Sequence, residues 1–133
     1  MLDGMVADNG KHIEWMRDLN QAMKAAAEQH KPLVVIFEED NCGWCKQFDK
    51  ELTKPAAMQL GGDAIFIKIH PSRDVDGQAL ASNLGITGYP TVSILDFNGT
   101  NVSERSRTTG FISADQLAAQ FGSGPSASNI QMA

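Results

Sequence analysis

The run Leu33-Val34-Val35-Ile36-Phe37 constrains this chain more than any other feature. Five consecutive apolar residues, rich in β-branched side chains and set directly after Pro32, read as a strand buried on both faces, because a strand with one wet face would alternate apolar and polar positions. Such a strand belongs at the centre of a sheet. Around it the hydrophobic period keeps switching between strand and helix. Residues 12–29 carry Ile13, Trp15, Leu19, Ala22, Met23 and Ala26 at helical spacing and read as one amphipathic helix, with Trp15 covering the sheet. Residues 43–52 place Cys45, Phe48, Asp49 and Leu52 at three- and four-residue steps, giving a second helix that Pro55 bends or ends. Residues 64–69 form a second strand, and residues 77–84 a short helix closed by Gly85. Residues 91–97, Asn98-Gly99 and residues 102–108 read as a β-hairpin, and Ser113 caps a last helix with Gln116 three residues on. Asn98 and Asn101 also open glycosylation patterns, but turn chemistry explains them better.

The expected architecture is α/β, in the order α-β-α-β-α-β-β-α, a central mixed sheet flanked by helices. One domain spans residues 12–121, preceded by a poorly ordered extension over residues 1–11. Residues 122–133, which include Gly-Ser-Gly-Pro-Ser-Ala-Ser, are too small and polar to pack and form a flexible tail. At 133 residues the chain can bury a core without disulfide staples, so a disulfide is free to be functional. A net charge of -5 with no basic cluster leaves no footprint for nucleic acid. No apolar run approaches the roughly 20 residues of a membrane span. Met1-Leu2-Asp3-Gly4 lacks the marks of a signal peptide, although an exported protein already trimmed would read the same.

The chemistry lies in Cys42-Gly43-Trp44-Cys45, which contains the only two cysteines. With Cys42 where a strand ends and Cys45 one helical turn on, the two sulfurs can meet, so the pair can open and close. The helix N-terminus favours a thiolate at Cys42, the expected nucleophile. Cys45, further inside the helix, suits the resolving role. Zinc would need two more ligands, and His12, His30 and His70 are scattered singly, so neither a metal nor an organic cofactor is expected.

The Cys-x-x-Cys after the buried strand, Gly88-Tyr89-Pro90-Thr91 before the hairpin, Lys68, Asn98-Gly99 and Gly110 together resemble the thioredoxin fold over about residues 12–121. Ile13-Glu14-Trp15, Asp18-Leu19, Ala22 and Lys31-Pro32 are most similar to a bacterial, often exported subgroup near the thiol-disulfide interchange domains. The resemblance implies a thiol-disulfide oxidoreductase, reductase or isomerase, acting as a monomer on protein thiols and disulfides with a separate redox partner. It implies a periplasmic or otherwise exported setting, with the cytoplasm as alternative, and a cis-proline loop at Pro90. Tyr89, Pro90 and Thr91 would flank the substrate groove, and Trp44 would add an apolar, partner-facing surface. A binding module built on the same fold is the competing reading. A glutathione-dependent enzyme is a weaker one, because its usual Cys-Pro-Tyr-Cys is not present.

Departures from the family pattern matter as well. Ile36 stands where the family carries a buried acid, so Lys68 loses its usual partner, and Glu38 or Glu39 would substitute. Glu38, on the face of Ile36, is the first choice for a proton shuttle, with an exposed acid at a strand end as the alternative reading. Asn41 and Trp44 also replace the family's tryptophan and proline at these positions, which reshapes the surface around the sulfurs. Glu38, Glu39 and Asp40 precede Cys42 and oppose its thiolate, with Lys46 partly offsetting them, which predicts a moderately reducing couple.

Overall fold

A computed structural model describes residues 11–122, so the expected extension and tail lie outside the described residues except for Lys11 and Gly122. The elements are β1 (Trp15–Met16), α1 (Leu19–Gln29), β2 (Leu33–Phe37), α2 (Gly43–Glu51), α3 (Pro55–Met58), a 3-10 turn (Gln59–Gly62), β3 (Ile65–Ile69), α4 (Val75–Leu84), β4 (Thr91–Phe97) and β5 (Val102–Thr109). A final helix, α5, covers residues 114–122. The sheet order is β1-β3-β2-β4-β5, with β1, β3 and β2 mutually parallel, β4 antiparallel to β2 and β5 antiparallel to β4.

The central strand is β2, and all five of its residues are fully buried. Its alternation divides the core in two. Val34 and Ile36 pack with Phe48, Leu52, Phe66 and Leu117 on the side of α2 and α5. Leu33, Val35 and Phe37 pack with Leu19, Ala22, Ala26 and Ala81 on the side of α1 and α4. Gly77 lets α4 lie close on β3, since a Cβ there would collide with the Ile69 side chain.

Residues 12–29 are not one helix. Trp15 and Met16 pair in parallel with Phe66 and Ile67 as an edge strand, and α1 begins only at Leu19. Ile13 and Trp15 fit a period of two as well as a helical one, and the two contribute to the α2-side core. Asp18 fixes the true start: its backbone is extended and its carboxylate accepts from the Gln21 N–H at 3.1 Å. Trp15 therefore reaches the core from a strand, edge-on to Phe66 at 5.7 Å between ring centroids. The observed order thus gains an N-terminal strand. It also gains α3, because Pro55 opens a new short helix, where its missing N–H costs nothing, and does not bend α2. The helix read over residues 77–84 starts two residues earlier, at Val75.

The hairpin closes through residues 98–101, where the Asn98 side chain accepts from the N–H groups of Thr100 (2.9 Å) and Asn101 (2.8 Å). Ser113 and Gln116 make the reciprocal capping pair: Gln116 N–H donates to Ser113 Oγ at 3.1 Å and Ser113 N–H to Gln116 Oε1 at 2.8 Å. The helix they open runs through Gly122, one residue past the expected domain end.

Candidate active site

After β2 the chain reverses sharply through Asn41, whose φ of 58° lies in the left-handed region that asparagine tolerates well. That turn delivers Cys42 to the N-cap of α2, with extended backbone and its sulfur accepting from the Cys45 N–H at 3.0 Å. Cys42 and Cys45 are joined as a disulfide with Cα atoms 5.2 Å apart. Their environments differ: Cys42 is partly exposed, whereas Cys45 retains 3% of its surface. An incoming sulfur can reach the first and not the second.

Pairing of Phe37 with Thr91 brings the start of β4 to the same end of the sheet. There the Tyr89-Pro90 peptide is cis and Pro90 is buried, its carbonyl accepting from the Gly110 N–H at 2.7 Å. Thr91, expected beside the groove, is fully buried and its hydroxyl donates to the Gly88 carbonyl at 2.6 Å. It braces the loop from inside, facing Thr109 of β5 as well as the Gly88 carbonyl. Tyr89 is half-buried against the α1 and α4 side of the core.

Trp44 is 63% exposed, tilted against Phe111 at 5.5 Å between centroids. With Gly43 and Gln47 the pair borders an open depression of about 520 Å³ beside the disulfide. Phe111 was not legible as a site residue, though a signal existed. Ile112 and Leu117 flank the Ser113 cap as a hydrophobic staple, which leaves Phe111 outside any packing need of α5.

A cluster of charges joins β3, α2 and the end of β2 through Lys68, His70, Asp49 and Glu38. The Glu38 N–H extends the β2–β3 ladder by donating to the Ile69 carbonyl at 2.8 Å, and its side chain is buried on the face of Ile36. Glu38 Oε2 has no hydrogen-bond donor among the described residues. Burial, reinforced by a proton shared with Asp49 and by the Asp49 charge, pushes its carboxyl up to about 8, against the pull of Lys68. His70 Nε2 stands 3.8 Å from the other oxygen. Lys68 does not take either expected glutamate as its ion-pair partner. Its Nζ meets Asp49 Oδ1 at 3.1 Å and sits 4.7 Å above the Trp15 ring. Asp49 was missed as a site residue, although it stands one helical turn after Cys45.

The three acids before Cys42 therefore diverge. Glu38 is buried and protonated near neutral pH, Asp40 is paired with Arg73 at 2.8 Å, and Glu39 accepts from the Ser72 hydroxyl at 2.7 Å. Among the described residues Glu39 is the one of the three carboxylates without a cationic partner, so less repulsion faces a Cys42 thiolate than the composition of the segment suggests.

The profile of a family described as thioredoxin-like domain matches residues 19–124. The thiol:disulfide interchange protein DsbD of Salmonella typhi is 30% identical over 111 residues, covering 82% of this chain and 19% of that protein. The chain thus spans about a fifth of the length of such relatives. The C-terminal domain of Neisseria meningitidis DsbD, solved in its reduced form, is 29% identical and superposes with a TM-score of 0.64 over 80% of this chain and 97% of that one. A thioredoxin from Thermus thermophilus shares the fold with a TM-score of 0.73 at 19% identity, over 84% and 85% of the two chains.

Proposed function

The chain belongs to the thioredoxin-like domain family, and from that membership we propose that it is a thiol-disulfide oxidoreductase that reduces protein disulfides through Cys42 and Cys45. The observation that carries the reading is the asymmetry of the pair, with a reachable sulfur capping α2 and a shielded one a turn below. In the dithiol form, the Cys42 thiolate attacks one sulfur of a substrate disulfide, and the other leaves as a thiolate that takes up a proton. Cys45 then loses its proton and attacks Cys42 Sγ, releasing the second substrate thiol and closing the disulfide seen here. Two electrons pass to the substrate in each cycle, and a separate redox partner returns them.

Glu38 is the group we assign to the Cys45 proton. A carboxyl held at about 8 is ionised in a minor fraction of molecules near pH 7, and it accepts the Cys45 proton from that fraction, which grows as pH rises toward 8. Lys68 acts as a positioning residue, biasing Glu38 through Asp49. Pro90 shapes the loop that faces the sulfurs, Tyr89 presents backbone to an extended substrate, and Trp44 with Phe111 supplies apolar contact. The remaining acid, Glu39, supports a moderately reducing couple, which equilibration with glutathione buffers measures. The reading includes a setting outside the cytosol, supported by the likeness to interchange proteins, and a monomer; trapping its thiols in periplasmic and cytosolic extracts tests the compartment, and sedimentation tests the monomer.

Insulin reduction driven by dithiothreitol tests the activity. The wild-type chain accelerates precipitation and Cys42→Ser does not; equal behaviour of both with the buffer control refutes the proposal. Cys45→Ser should accumulate mixed disulfides with the proteins it acts on.

A further inference from the structure

The catalytic scheme leaves one cleft beside the site unused. It lies on the α4 side of the Pro90 loop, holds about 480 Å³, and is bordered by Glu39, Pro71, Ser72, Ala81, Ile86 and Tyr89 among others. That volume is in the range of ligand pockets. Glu39 stands three residues before Cys42 and Tyr89 directly before Pro90, so a polypeptide lying across the loop with its disulfide at Cys42 brings neighbouring side chains to this opening.

The charge of the cleft is one-sided. Among the described residues that line it, Glu39 is the carboxylate and no lysine or arginine is present. The Ser72 hydroxyl holds Glu39 Oε1 at 2.7 Å without neutralising it, while the neighbouring Asp40 is already paired with Arg73. Proximity of Glu39 to Tyr89 is independently visible: burial and then the Glu39 charge push the phenol up from its ordinary value. Apolar surface from Pro71, Ala81 and Ile86 surrounds this single charge.

We propose that the cleft receives a lysine or arginine side chain adjacent to the disulfide of the substrate protein, with Glu39 as the ion-pair partner that selects it. The aliphatic stem lies on Pro71, Ala81 and Ile86, and the Tyr89 ring flanks the cation. The net charge of -5 favours encounter with basic segments in general. This inference rests on the oxidoreductase reading and names a substrate class for it.

Disulfide-closed peptides that differ only in arginine or norleucine, placed in turn on each side of one cysteine, test the inference with the dithiol form of the full chain. The arginine peptide in one placement should show kcat/KM higher by about fivefold, the upper end for a partly exposed ion pair, and salt should erode the difference. Glu39→Gln should bring the two peptides to the same rate, and Glu39→Lys should favour a glutamate peptide over the arginine one. Equal rates in the wild type, or a preference that survives in Glu39→Gln, overturn the inference and leave the activity standing. If no peptide is reduced while dithiothreitol reduces all of them, the oxidoreductase reading falls and the inference with it.

Discussion

Replacing Glu38 by glutamine removes a buried titrating group while keeping its shape, and the consequence for stability follows from its proton. The carboxyl moves from an ordinary 4.5 to about 8 on folding, because burial and Asp49 disfavour the anion. Below pH 4.5 both folded and unfolded chains hold the proton, and the group is neutral to stability. As pH rises through the window between 4.5 and about 8, the unfolded chain ionises and the folded one does not, so the unfolded state is increasingly favoured. The slope approaches about 1.4 kcal/mol per pH unit, which integrates to about 3 kcal/mol between pH 4.5 and about pH 7.5. Glu38→Gln should not pay this penalty. Denaturant unfolding of the oxidised wild type and variant across that range should therefore show the variant gaining about 3 kcal/mol relative to wild type as pH rises, whatever its offset at acid pH. A difference between the two proteins that stays constant with pH refutes the placement of a protonated Glu38 in the core. Asp49→Asn should narrow the window by removing the neighbouring charge, and Lys68→Met should widen it. In the catalytic cycle Glu38→Gln should slow release of the mixed disulfide, on the order of 100-fold for a lost proton acceptor.

Two further outcomes probe the surface and the packing. Replacing Trp44 and Phe111 together by serine should raise KM for a protein disulfide by about tenfold or more, as for a lost hot spot, with a smaller effect on a low-molecular-weight disulfide that does not reach the depression. An equal effect on both substrates would remove the aromatic pair from substrate contact. Gly77→Ala should lower stability by about 1–3 kcal/mol in denaturant unfolding, because the added methyl collides with Ile69 and forces α4 off β3. An unchanged midpoint would show that α4 does not depend on this close approach.

Much of the frame was readable because its causes are local. The both-face burial of β2 follows from five apolar residues in a row, and the Ser113-Gln116 and Asn98 hydrogen bonds join residues two or three apart. The segment 12–29 misled for the same reason: one period of apolar residues fits both a strand and a helix, and only the unfilled edge of β3 decides that Trp15 and Met16 pair there.

By itself, the sequence determined the alternation of strands and helices, the central position of β2 and the location of the cysteine pair at the head of a helix, since each depends on composition and spacing within one segment. Tertiary structure alone decided which charges meet. Glu38, Glu39 and Asp40 are adjacent in the chain, yet one is buried beside Asp49, one opens onto a cleft with Tyr89 and one is bound by Arg73. Lys68 finds Asp49 and not a glutamate, and Trp44 finds Phe111, 67 positions away by their numbers. Such pairings depend on where separate elements come to rest against one another, and a carboxyl's charge state depends on the water and partners left around it after packing.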